Sequence, residues 1–146
     1  MNGKTLRRWI LVADAGRARL FLTSPGQPDW ELLHDLVHPE SRVMGQQLLN
    51  GDSAGPFASK RQDYRAVDYR PSSAQDDEAE RFAASLSALL TGASASFDEL
   101  VLCAAPRFLG MLRKKLGKGV TNKITAQFAK DYTSFEPREV AEMLPL

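Results

Sequence analysis

The chain has 146 residues and a mass of 16.1 kDa, the size of one domain, and its 43% apolar and 25% charged residues are an ordinary balance for a chain with one core. Nineteen Lys and Arg against eighteen Asp and Glu leave a formal charge of +1, which excludes the global basicity of a histone-like DNA binder and the acidity of a solvating tail. The apolar run Trp9-Ile10-Leu11-Val12-Ala13 stops at Asp14, short of the ~20 residues of a membrane span and of the ~7–15 of a secretory core, so Arg7-Arg8 does not open a twin-arginine signal.

Cys103 is the only cysteine; an internal disulfide is excluded and a reducing compartment fits. The expectation is a single cytoplasmic domain over residues 1–146 with no membrane contact.

Residues 9–13 form an apolar run suited to a strand buried on both faces. Asp14-Ala15-Gly16 is turn chemistry, and residues 18–23 make a second strand with Leu20 and Leu22 on one face, Arg19 and Phe21 on the other. Ser24-Pro25-Gly26-Gln27-Pro28-Asp29 breaks the chain, and residues 30–37 resume extended structure. Three sequential strands with short connections predict an antiparallel meander.

A long flexible loop is expected at about 38–75, where Pro39, Gly45, Gly51, Gly55, Pro56 and Pro71 interrupt any period. A short helix over residues 42–49 is its one candidate element, weakened by Gly45.

From Asp76 the period becomes helical. Ala79, Phe82, Ala83, Leu86 and Leu90 mark one apolar face, Asp76, Asp77, Glu78 and Glu80 crowd the predicted first turn, and Gly92 is a stop. Residues 100–104 read as a central strand. Pro106 opens a helix with Phe108, Leu109, Leu112 and Leu116 inward, ended by Gly117 and Gly119. Residues 120–128 read as the last strand, and Pro137 opens a terminal helix that buries Val140 and Leu144. The predicted class is α/β: a mixed β-sheet with an antiparallel opening meander and helical crossovers to parallel strands.

Few residues carry recognisable chemistry. His34 and His38, placed at a strand end with Asp35 and Glu40 nearby, lack the further ligands of a metal site, and Cys103 lies in an apolar run where thiols act as small hydrophobes. Leu109-Gly110-Met111 and Gly117-Lys118-Gly119 have neither P-loop nor dinucleotide spacing. No metal or cofactor is therefore expected.

Local charge is more informative. Lys4, Arg7, Arg8, Arg17 and Arg19 cluster near the start, and residues 107–123 contain Arg107, Arg113, Lys114, Lys115, Lys118 and Lys123 without one acid. With Arg42 in the long loop, they form a candidate phosphate-contacting face; a solvated face balanced by the acids at 76–80 is the plainer alternative.

The phrases WILVADAGRARLF at 9–21, the Asp52 and Gly55 pair, DEAERFA at 77–83, FDELVLCAAPRFLGMLRKKL at 97–116 and AKDYT at 129–133 resemble the bacterial host attachment proteins, in order along nearly the whole chain. The most specific element is Ala105-Pro106-Arg107-Phe108-Leu109-Gly110 followed by Leu112-Arg113. That family is similar in turn to the middle domain of archaeo-eukaryotic peptide-chain release factors and ribosome-rescue proteins.

The resemblance implies a ribonuclease-H-like sheet and contact with the ribosome, transfer RNA or ribosomal RNA through Arg42, Arg107, Arg113, Lys114 and Lys115. It also implies a loop where release factors carry Gly-Gly-Gln, which promotes peptidyl-tRNA hydrolysis. Here that region reads Val43-Met44-Gly45-Gln46-Gln47, so Gly45 and Gln46 match and Met44 stands in place of the first glycine. Pro56 stands where the family usually has arginine.

A domain of this length lacks codon-reading modules. The expected function is a non-catalytic cytoplasmic binding domain on RNA or the ribosome. The alternatives are a regulatory protein-interaction domain affecting attachment, a peptidyl-tRNA or other ester hydrolase using Gln46, and a two-metal nuclease. For the last, Asp14 is one carboxylate, and the sequence places no second one beside it. Whether the chain is an enzyme, and its oligomeric state, stay open at this level.

Overall fold

The computed structural model describes residues 5–26, 29–38 and 72–146. Strands β1 (Arg8–Asp14), β2 (Arg17–Thr23) and β3 (Glu31–Val37) form the antiparallel meander. Helix α1 (Ser72–Gly92), a 3-10 turn (Ser94–Ser96) and β4 (Glu99–Ala104) follow, then α2 (Pro106–Lys115), the single turn α3 (Lys118–Thr121), β5 (Ile124–Phe128) and α4 (Pro137–Met143).

The sheet order is β3-β2-β1-β4-β5. β1 is antiparallel to β2 and parallel to β4, and β4 is parallel to β5, giving the expected mixed α/β sheet. Crossovers through α1 and α2 are what parallel neighbours require.

The two faces of the sheet are buried by different parts of the chain. Trp9, Leu11, Leu20, Leu100 and Leu102 pack under α1 and α2 with Phe82, Leu86, Leu90, Phe108 and Leu112. Ile10, Val12, Phe21, Val101 and Cys103 face the other way, beneath Val140 of α4 and Leu144 just after it. This two-sided burial explains why β1 and β4 are continuous apolar runs rather than alternating ones. The Trp9 and Phe97 rings lie 4.8 Å apart between centroids and close the end of the sheet where these strands begin.

Three local expectations need correction. α1 starts at Ser72, four residues before Asp76 and within the stretch assigned to loop, so the acids from Asp76 to Glu80 lie beyond its first turn. Val120 is not in a strand: Gly117 precedes the turn α3, Val120 points into the core, and β5 begins at Ile124. A single apolar residue inside a helical turn mimics the first position of an alternating strand. His34 lies within β3, paired with Leu20, rather than at a strand end. The candidate helix at 42–49 and most of the expected long loop fall outside the described residues.

Candidate functional site

α2 forms where the chain emerges from β4. Ala105 is extended (φ -54°, ψ 143°), as the residue before proline must be, and Pro106 occupies the first helical turn, where its missing N–H is harmless. The Ala105 N–H donates to the Ala13 carbonyl at 3.2 Å, tying the start of α2 to the end of β1. Phe108, Leu109 and Leu112 form the buried face.

Arg107, Gly110 and Lys114 fall at i, i+3 and i+7, one stripe opposite the buried face. Arg113 and Lys115 flank it at the helix end, where each cation favours the negative end of the helix dipole by about 0.3–1 kcal/mol. Arg113, Lys114, Lys115 and Lys118 are exposed and form no ion pair among the described residues. Arg107, about 10 Å away along the axis by helical rise, differs: its Nη2 donates to Asp76 of α1 at 2.6 Å. The five candidate RNA-binding residues are thus not one patch. Three lie at the far end of α2, Arg107 is neutralised at its start, and Arg42 lies outside the described residues.

Beside that far end, a groove of about 500 Å³ separates α2 from β5. Gly110, Arg113 and Lys114 line its helix side, Leu116 and Thr121 its end, and Ile124 and Gln127 its strand side. Gly110 costs the helix about 0.5–1 kcal/mol relative to alanine. A Cβ placed there would meet nothing within 4 Å among the described residues.

A second cluster sits where β1 ends. Asp14 Oδ1 accepts the Gly16 and Arg17 N–H groups at 2.8 and 2.9 Å, closing the β1–β2 turn. The Thr133 hydroxyl lies 3.1 Å from Asp14 Oδ2 and 2.7 Å from Asp131 Oδ1, and its single proton serves one of them at a time. The structure therefore supplies the second carboxylate that the sequence did not place beside Asp14. Asp131 and Thr133 lie in the AKDYT phrase, 117 and 119 residues downstream of Asp14, and only that phrase signalled them.

Arg19, 8% exposed, reaches from β2 under the same segment and donates from Nη2 to the Tyr132 and Phe135 carbonyls. Burial, and secondarily Arg17, lower its pKa from the usual guanidinium value. Its Nε has no partner among the described residues.

Gly45 and Gln46 lie outside the described residues. The residues before and after that segment meet at the same end of the sheet. The His38 N–H donates to the Gly16 carbonyl, its Nε2 lies 2.9 Å from Glu78 of α1, and its ring stacks on Phe82 at 5.3 Å. Glu78 also pairs with Arg81. Cys103 is fully buried, its Sγ 3.4 Å from the Lys130 carbonyl, as expected of an inert core thiol. No helix among the described residues is long and apolar enough to cross a membrane.

No curated protein matches the chain. Among solved structures, it is similar to Dom34 of S. cerevisiae, a translation termination-like factor involved in RNA quality control pathways and interacting with Hbs1, with 9% identity and a TM-score of 0.49. The likeness takes in 94% of this chain and 33% of that one, so the chain spans about a third of Dom34's length. A family profile described as "protein required for attachment to host cells" matches residues 9–144. With its sequence matched from β1 into α4, the chain belongs to the host attachment family.

Proposed function

We propose that this protein is a cytoplasmic, non-catalytic binding domain that docks on RNA of the translation apparatus through the carboxyl end of α2. The observation that carries this reading is the group Arg113, Lys114, Lys115 and Lys118, exposed on one short stretch with no ion pair among the described residues. Phosphate contacts of this kind position a domain without reading sequence. The phrases at 9–21 and 97–116, which resemble relatives of release factors, direct the choice of RNA to that of translation.

Co-sedimentation with ribosomes across a salt series tests the reading. Three phosphate contacts on a single strand give a slope of log K against log salt of about −2. The triple substitution Arg113→Glu, Lys114→Glu, Lys115→Glu should abolish association at low salt. A wild-type chain that stays in the supernatant at low salt refutes the proposal.

A further inference from the structure

A cationic face explains the charges along α2 but not the glycine between them. Gly110, half-buried, lies three residues after Arg107 and four before Lys114, on the stripe opposite the buried face and on the wall of the groove beside β5. It weakens the helix, and no described neighbour needs the space it leaves. What a missing Cβ permits at a half-buried, groove-lining helix position is close approach of a ligand to the backbone.

The surroundings define that ligand. Arg113 and Lys114 on one wall select negative charge, while the half-buried Leu116 and Ile124, with the Gln127 amide, offer an apolar seat and a hydrogen-bonding group. Single-stranded RNA presents both chemistries at once, a phosphodiester and a base whose edge has no pairing partner. A duplex presents the phosphates but keeps its bases stacked and paired.

We propose that the groove between α2 and β5 is a nucleotide subsite for single-stranded RNA. The sugar-phosphate backbone crosses α2 at Gly110, its phosphates meet Arg113 and Lys114, and one base rests on Leu116 and Ile124 against Gln127. This rests on the reading of the protein as an RNA-binding domain and narrows it to one strand in one groove.

Fluorescence anisotropy with a labelled oligouridine, and with a labelled RNA duplex of equal length, tests the subsite on the full chain. The wild type should prefer the single strand. Gly110→Ala should raise Tm yet weaken single-strand binding, a pairing of effects that a purely structural glycine does not produce. Gly110→Leu should weaken single-strand binding by about tenfold or more, the scale of one lost contact, and erase the preference over duplex.

Gln127→Ala should reduce that preference with Tm unchanged. If both Gly110 variants bind as the wild type does while Arg113→Glu with Lys114→Glu loses binding, the phosphate face stands and the subsite is refuted. If the wild type binds neither RNA, both readings fall together. Gly110→Ala adds helix propensity, so the decisive variant folds.

Discussion

Asp14 holds the β1–β2 turn with one carboxylate oxygen and the 131–133 segment with the other, so two substitutions at this position separate hydrogen bonding from charge. Asp14→Ala removes an acceptor for two backbone N–H groups at 2.8 and 2.9 Å and one for the Thr133 hydroxyl at 3.1 Å. Bonds to a charged acceptor contribute about 1.5–3 kcal/mol each, and water recovers part of this at half-buried Gly16 and Arg17, leaving a net loss of about 2–4 kcal/mol. Asp14→Asn keeps the carbonyl oxygen for both N–H groups. Its amide donates to Thr133 Oγ1, freeing the hydroxyl proton for Asp131 at 2.7 Å, and it removes one of two like charges facing that hydroxyl. The expected change for Asp14→Asn is within about 1 kcal/mol. Urea unfolding of both variants near neutral pH, followed by tryptophan fluorescence, measures the difference. If Asp14→Asn loses as much as Asp14→Ala, the carboxylate charge itself is required and the hydrogen-bond reasoning fails; a cation between Asp14 and Asp131 would then be the alternative to pursue.

Three further outcomes follow from the same structure. Leu112→Ala empties a fully buried position between α1 and α2 and should cost about 2–5 kcal/mol in urea unfolding; a loss under 1 kcal/mol, as an order-of-magnitude bound, would mean the two helices do not pack as described. Hydrogen bonds from Arg7, first from its side chain and then from its backbone N–H, hold Asp98 at a pKa of about 2, down from 3.8. Because the folded value is the lower, the Asp98 contribution is present above the unfolded pKa and is lost as pH falls from about 4 toward 2. Asp98→Asn should therefore flatten the decline of the urea midpoint over that window, and an unchanged acid limb would contradict the pairing. Burial, with Asp131 second, pushes the Cys103 thiol up to about 11. An aromatic disulfide reagent at neutral pH should react with Cys103 only as the chain unfolds; equal rates in native and denatured protein would refute its burial.

The parts of the fold that could be read from the chain are those whose physics is local. The apolar runs at 9–13 and 100–104 have no polar face because both sides of β1 and β4 are covered, and Pro106 marks the start of α2 within one residue. α3 was illegible because one buried residue, Val120, carries no period.

The cationic end of α2 was legible as charge. Its distinction from Arg107 was not, since the Asp76 that neutralises Arg107 is 31 residues away. The Asp14–Thr133–Asp131 cluster and Arg19 beneath the Tyr132 and Phe135 carbonyls join residues more than a hundred positions apart. No spacing rule reaches that far; such groups are defined only when the sheet brings its strand ends together.

The pairing of β1 has a kinetic consequence. On one side it meets β2 through a tight turn, while on the other its partner in β4 is 91 residues away, Arg8 beside Glu99. Loop-closure entropy opposes that second contact until much of the intervening chain is ordered, so the meander forms early and the parallel half joins it late. During the interval the long edge of β1 presents unpaired N–H and C=O groups on its most apolar segment, a template that another unfolded chain can occupy before β4 arrives. Refolding yield should therefore fall with protein concentration even though the finished sheet hides β1 completely in its middle.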